Sequence, residues 1–176
     1  MQLQNKKAKK KVLTPRFIAY IGIFSALALA LSIFENMLPP LPMMPPGAKL
    51  GLSNIVTMYA ASALGFLPAL FITLIKGVFA AITRGTVAML MSLSGGILST
   101  VIMYICLKSK KLGYVGIGII SAFSHNLGQL IMAYFITSKT IVWYAPWLIV
   151  FSIITGTLTG IMLKTVMPLF KKINRE

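Results

Sequence analysis

Long apolar runs separated by short polar or proline- and glycine-bearing breaks set the pattern of this chain. A helix needs about 20 apolar residues to cross the hydrocarbon core of a bilayer. The runs are interrupted near Glu35 to Lys49, Gly65 to Pro68, Arg84 to Gly85, Lys108 to Gly113 and Thr137 to Thr140. Those breaks predict six helices, at about 16–37, 50–65, 67–84, 86–107, 113–137 and 144–167. The second is short, and only Gly65 and Pro68 of the GFLP stretch part it from the third, so a five-helix count is the alternative. The fold class expected is an all-α integral membrane protein of about six transmembrane helices. Its organisation is a basic amino-terminal segment at 1–15, a transmembrane domain at 16–170 and a tail at 171–176. A lysine-rich start ahead of an apolar run has the outline of a secretory signal. No small-residue cleavage site follows Ala30 before Glu35, however, and further spans come after, so the segment reads as a retained first span.

Composition supports a membrane setting. Of 176 residues, 57% are hydrophobic and only 11% are charged, too little charge to solvate a globule of this size. Mean hydropathy is +0.88. The acidic residues are Glu35 and Glu176, against 17 Lys+Arg and a net charge of +15. In a soluble protein that excess would suggest nucleic acid, but these cations sit where apolar runs end, which points to anionic lipid headgroups instead. With an even helix count, Lys6, Lys7, Lys9, Lys10, Lys11 and Arg16 share one face with Lys108, Lys110 and Lys111 and with Lys164, Lys171, Lys172 and Arg175. The opposite face holds Lys49, Arg84 and Lys139. The positive-inside rule then makes both termini cytoplasmic and the proline-rich PPLPMMPPGAK stretch external, with Trp143, Tyr144 and Trp147 as an outer aromatic anchor. A single cysteine, Cys106, forbids an intrachain disulfide and a cysteine-built metal cluster and reads as a small buried apolar residue.

Ionisable groups inside spans each cost a few kcal/mol unless paired or hydrated, so they are the places to look for function. Lys76 lies midway along the third helix and His125 midway along the fifth. In the HNLGQ stretch, His125 and Gln129 share a face with Ser121, and Asn126 lies on an adjoining face. Thr73, Lys76, Ala80 and Thr83 form a stripe on the third helix, and Asn54 and Thr57 another near the outer end of the second. With Lys49 and Arg84 at outer helix ends, these residues define a candidate substrate-binding cavity: Lys49, Asn54, Lys76, Arg84, His125, Asn126 and Gln129. Glu35 is the carboxylate on that side, so positive charge remains in excess and an anionic or electron-rich ligand is expected. The plain alternatives are interhelical hydrogen bonding for the histidine and amides, snorkelling for Lys76 and lipid phosphate contact for Lys49 and Arg84. Small residues at four-residue spacing mark close helix approaches: Gly22, Ala26 and Ala30; Ser92 and Gly96; Ser152, Gly156 and Gly160.

The same inventory argues against catalysis. Transfer chemistry on a diphosphate usually uses Mg²⁺ held by clustered carboxylates, and Glu35 and Glu176 stand at opposite ends of the chain. There is no glycine-rich loop followed by Lys and Ser or Thr to cradle a nucleotide. A His125 pair with Ser121 or Ser124 lacks an orienting acid. No catalytic residue, metal or cofactor is expected.

The ENMLPPLPMMPPGAKLGLSNIV run, with the SLSGG and HNLGQ segments, resembles the bacterial family called both Gx transporter and heptaprenyl diphosphate synthase component I, over nearly the whole chain. In size and six-helix layout the chain is also similar to the S (substrate-binding) components of energy-coupling factor transporters. That resemblance implies a multi-pass protein of the bacterial inner membrane, binding a small molecule and powered by a separate transmembrane coupling protein and ATPases. It also implies that the first-helix ridge Gly22, Ala26, Ala30 docks the coupling protein and that the proline-rich loop is a lid over the ligand. A re-entrant linker is the plain reading of that loop. The synthase name raises a second reading, a non-catalytic membrane accessory of isoprenoid or of quinone and flavin redox metabolism. A stand-alone proton-coupled carrier using His125 and Lys76 is a third, disfavoured because no carboxylate lies mid-span.

Overall fold

The computed structural model describes residues 14–37, 51–109, 111–137 and 139–173. They form six α-helices: α1 (Pro15–Met37), α2 (Asn54–Ala63), α3 (Phe66–Arg84), α4 (Thr86–Ser109), α5 (Tyr114–Ile136) and α6 (Ala145–Ile173). A short 3₁₀ helix, Lys139–Tyr144, joins the last two. Lys49, the proline-rich run around it, the basic residues before Thr14 and the last three residues lie outside the described part. All helices except α2 are long and apolar enough to cross a membrane, as expected of a multi-pass membrane protein. Their outward faces carry exposed Ile, Leu, Phe and Val side chains, among them Ile23, Leu67, Ile82, Phe135 and Ile154. Without water in the bilayer core, each helix satisfies its own backbone groups and the apolar exterior meets lipid.

The helix breaks fall where the sequence places them, and two of them turn on glycine. Gly65 and Gly85 have φ of 104° and 87°, a left-handed region that costs an L side chain about 1–2 kcal/mol. A single residue, Gly85, therefore suffices to reverse the chain between α3 and α4.

The second helix departs from expectation. It has 10 residues, not the sixteen or so of the 50–65 segment, and at about 1.5 Å per residue it covers about half of a bilayer core. Its start lies deep in the bundle: a side-chain carbon added at Gly51, just before α2, would be 3.3 Å from Cδ2 of His125, in the middle of α5. From there α2 runs toward the Lys108 end of the bundle with Val56 to Ala61 all buried. Phe24 and Ala28 of α1, Ile72 of α3, Met103 of α4, Ile117 of α5, and Leu163 and Met167 of α6 close around it as one apolar core. Tyr20 of α1, Cys106 and Leu107 of α4 and Tyr114 of α5 pack against the same core.

Glycines set how closely the other helices approach. A carbon added at Gly118 of α5 would lie 2.8 Å from the Gly160 nitrogen of α6, and one at Gly156 would lie 2.5 Å from Cα of Ile119. A carbon at Gly128 would lie 2.7 Å from the Ser94 carbonyl of α4. Backbone contact of this kind is how helices associate in lipid, where no hydrophobic force drives them together.

Candidate binding site

The polar residues collect at the opposite end, between the start of α2 and the halves of α1, α3, α4 and α5 that point toward Arg84. Ser32 and Glu35 of α1, Gly51 and Ser53 before α2, Lys76 and Arg84 of α3, Ser92 of α4, and His125 and Gln129 of α5 line a single narrow cavity. Its volume is about 20 Å³, room for one or two water-sized groups.

Lys76 is at the centre of this arrangement. It is buried, and its Nζ donates to Asn54 Oδ1 at 2.7 Å and to Thr57 Oγ1 at 3.5 Å. The two stripes expected on the second and third helices thus face each other. One turn before Lys76, the Thr73 hydroxyl lies 3.0 Å from that of Thr100 on α4, tying α3 to α4.

Across the cavity, the Gln129 amide nitrogen meets His125 Nε2 at 3.0 Å, as the four-residue spacing anticipated. The direction of this bond follows the imidazole tautomer. Asn126 goes elsewhere. It sits between α5 and α6, donating to the Leu148 carbonyl at 3.2 Å and to Ser152 Oγ at 2.9 Å, and it is absent from the cavity wall. Helix rotation decides this: Gln129 is one turn beyond His125, whereas Asn126 is turned about 100° from it, toward α6.

The site also includes a group that sequence reasoning left out of the set. Glu35 accepts from the backbone N–H of Gly51 at 2.6 Å and of Leu52 at 2.8 Å, with one carboxylate oxygen serving both. Successive N–H groups beside a left-handed glycine, here Gly51 with φ of 83°, make a concave seat for an anion. A carbon added at Gly51 would also lie 2.7 Å from Asn54 Nδ2, so the position excludes a side chain twice over. The signal was available in the sequence: Glu35 is the one acid within the helical body, and a buried carboxylate pairs with donors and cations. Glu35, the carboxylate expected on this side of the chain, lines the same cavity as Lys76. Lys76 and Arg84 against Glu35 leave that lining with one net positive charge. Lys49 lies outside the described residues.

On the far side of α1, Gly22, Ala26 and Ala30 are all exposed along one face, and a carbon added at Gly22 meets nothing within 4 Å. Phe24, Ser25, Ala28, Ser32 and Glu35 occupy the buried face.

The overall fold is similar to that of a solved structure of the S component of a bacterial ECF transporter. The TM-score is 0.71 at 19% identity, over 92% of this chain and 98% of that one. A family model described as heptaprenyl diphosphate synthase component I matches residues 24–166, and the chain belongs to that family. Both resemblances read from the sequence hold. No curated protein sequence matches the chain.

Proposed function

We propose that the protein is the substrate-binding membrane component of an uptake system, taking a small, partly anionic molecule into the cavity between α1, α2, α3 and α5. The observation that carries this reading is Lys76: an ammonium group buried mid-helix in a membrane protein, in the wall of a cavity whose described charged groups, Glu35, Lys76 and Arg84, sum to one positive charge. Burying that charge is costly in lipid, and an anion arriving in the cavity offsets the cost. Lys49, two residues before Gly51 in the chain, is a further candidate cation for the ligand. The cavity is narrow, and Glu35 of α1 holds the backbone of Gly51 and Leu52, just before α2, beside it.

The chain contains no nucleotide-binding loop, so transport draws its energy from separate proteins. The exposed small-residue face Gly22, Ala26, Ala30 fits close docking of a transmembrane helix from a coupling protein, itself driven by ATPases. Binding of candidate anionic and neutral metabolites to wild type and Lys76→Met tests the capture step. An anion bound by wild type and lost in the variant supports the proposal; equal affinity of both forms for every ligand refutes it.

The family's description favours a second reading, a non-catalytic membrane subunit that assembles with isoprenoid enzymes. Co-purification separates the two. A coupling protein and ATPases support uptake, whereas a soluble prenyl diphosphate synthase supports the subunit.

A further inference from the structure

The hydrogen-bond inventory of the cavity specifies more of the ligand than its charge. Resting on the capture reading above, we propose that the ligand is a small anion that carries N–H or O–H donors beside its charged group, and that Glu35 and Gln129 are the pair that recognises those donors.

Two buried acceptors in the cavity wall are unmatched. Glu35, 7% exposed, spends one carboxylate oxygen on the amides of Gly51 and Leu52, while Oε2 receives no hydrogen bond. Gln129, 2% exposed, gives its amide nitrogen to His125, while Oε1 receives none. An ionised carboxylate accepts only, and so does an amide oxygen. Buried polar atoms are nearly always paired, and two in one small cavity call for donors supplied from outside the chain.

Charge narrows the class. A cationic ligand would satisfy both oxygens but would add to the positive charge of Lys76 and Arg84 in a medium where like charges repel strongly. An anion bearing acceptors alone would suit the cations yet set its lone pairs against those of Glu35 and Gln129. A monoanion with adjacent donors meets both conditions, balancing the lining's net charge and filling the open acceptors. Sites built to pair a ligand's donor discriminate sharply against the analogue that lacks it.

The test uses matched acids in which methylation removes the donor and leaves the charge: lactate against 2-methoxypropanoate, pyrrole-2-carboxylate against its N-methyl form, and orotate against 1,3-dimethylorotate. Binding is measured by calorimetry on the full chain in lipid nanodiscs, for wild type, Glu35→Gln and Gln129→Leu. Wild type is expected to bind at least one donor-bearing acid ~10-fold or more tightly than its methylated partner. That preference should fall several-fold in each variant. Glu35→Gln keeps the shape and an oxygen for the Gly51 and Leu52 amides while turning the open acceptor into a donor, so it separates recognition from folding. Equal binding of the two members of every pair by wild type, or a preference untouched by both substitutions, overturns the inference and leaves anion capture standing. Failure of every acid to bind overturns both.

Discussion

The two halves of the bundle are built from the same helices and solve different problems. Toward the Lys108 end, α2 is a buried post with Met58, Tyr59 and Ala60 packed among Phe24, Met103, Ile117 and Leu163, and the contacts are apolar. Toward the Arg84 end α2 is missing, because it starts at the depth of His125, and the space above it is walled by Glu35, Lys76, Arg84, His125 and Gln129. The first half gains stability from packing against helix and lipid alike. The second carries charges and unmatched acceptors that a membrane protein keeps only at a cost. Apolar packing and the candidate binding site are thus separated along the length of the bundle.

Substitutions that cross this division should sort by where they fall. The largest effect is expected from Gly118→Leu at the α5–α6 contact, where even one added carbon meets α6 backbone. A loss of about 3 kcal/mol or failure to fold is expected, read as a lowered melting temperature or loss of monodispersity in detergent. Next, Lys76→Met should cost ligand affinity ~10- to 100-fold, measured by calorimetry, because it removes a charge-assisted contact worth about 1.5–3 kcal/mol. Its melting temperature should hold or rise, since an apolar side chain replaces a buried charge; a large fall in stability would place Lys76 among the structural groups and break the comparison. Gly51→Ala should lose about 1–2 kcal/mol from strain at positive φ and should weaken ligand binding with it, as the seat under Glu35 shifts. Asn126→Ala is expected to lower stability by about 1 kcal/mol, from its bonds to Leu148 and Ser152, with ligand affinity unchanged. The smallest effect belongs to Thr73→Val, which breaks the hydroxyl contact with Thr100 at a cost of about 0.6 kcal/mol in thermal unfolding.

Asn126 and Gln129 show how far a residue list reaches. Both are amides in one short polar segment of α5, and both stand near His125 in the sequence. One pins α5 to α6 and the other bonds the histidine in the cavity wall. Helical spacing correctly grouped Gln129 with His125. It could not tell which neighbouring helix would receive the adjoining face. Glu35 makes the complementary point: it was visible as the lone acid of the helical body, yet its partners are main-chain amides of Gly51 and Leu52, which a reading of side chains does not see.

The order of helices, their breaks and the identity of the ionisable residues inside them were determined by the sequence alone. Run length and the placement of glycine, proline and charge are local properties of the chain, and the bilayer judges each segment by them. The depth at which α2 begins, the turn of Asn126 toward α6 and the meeting of Glu35 with Lys76 and Arg84 around one cavity were decided only in the tertiary structure. The rotation of α5 follows from how closely backbones meet at Gly118, Gly128, Gly156 and Gly160, and that is a property of pairs of helices rather than of any one.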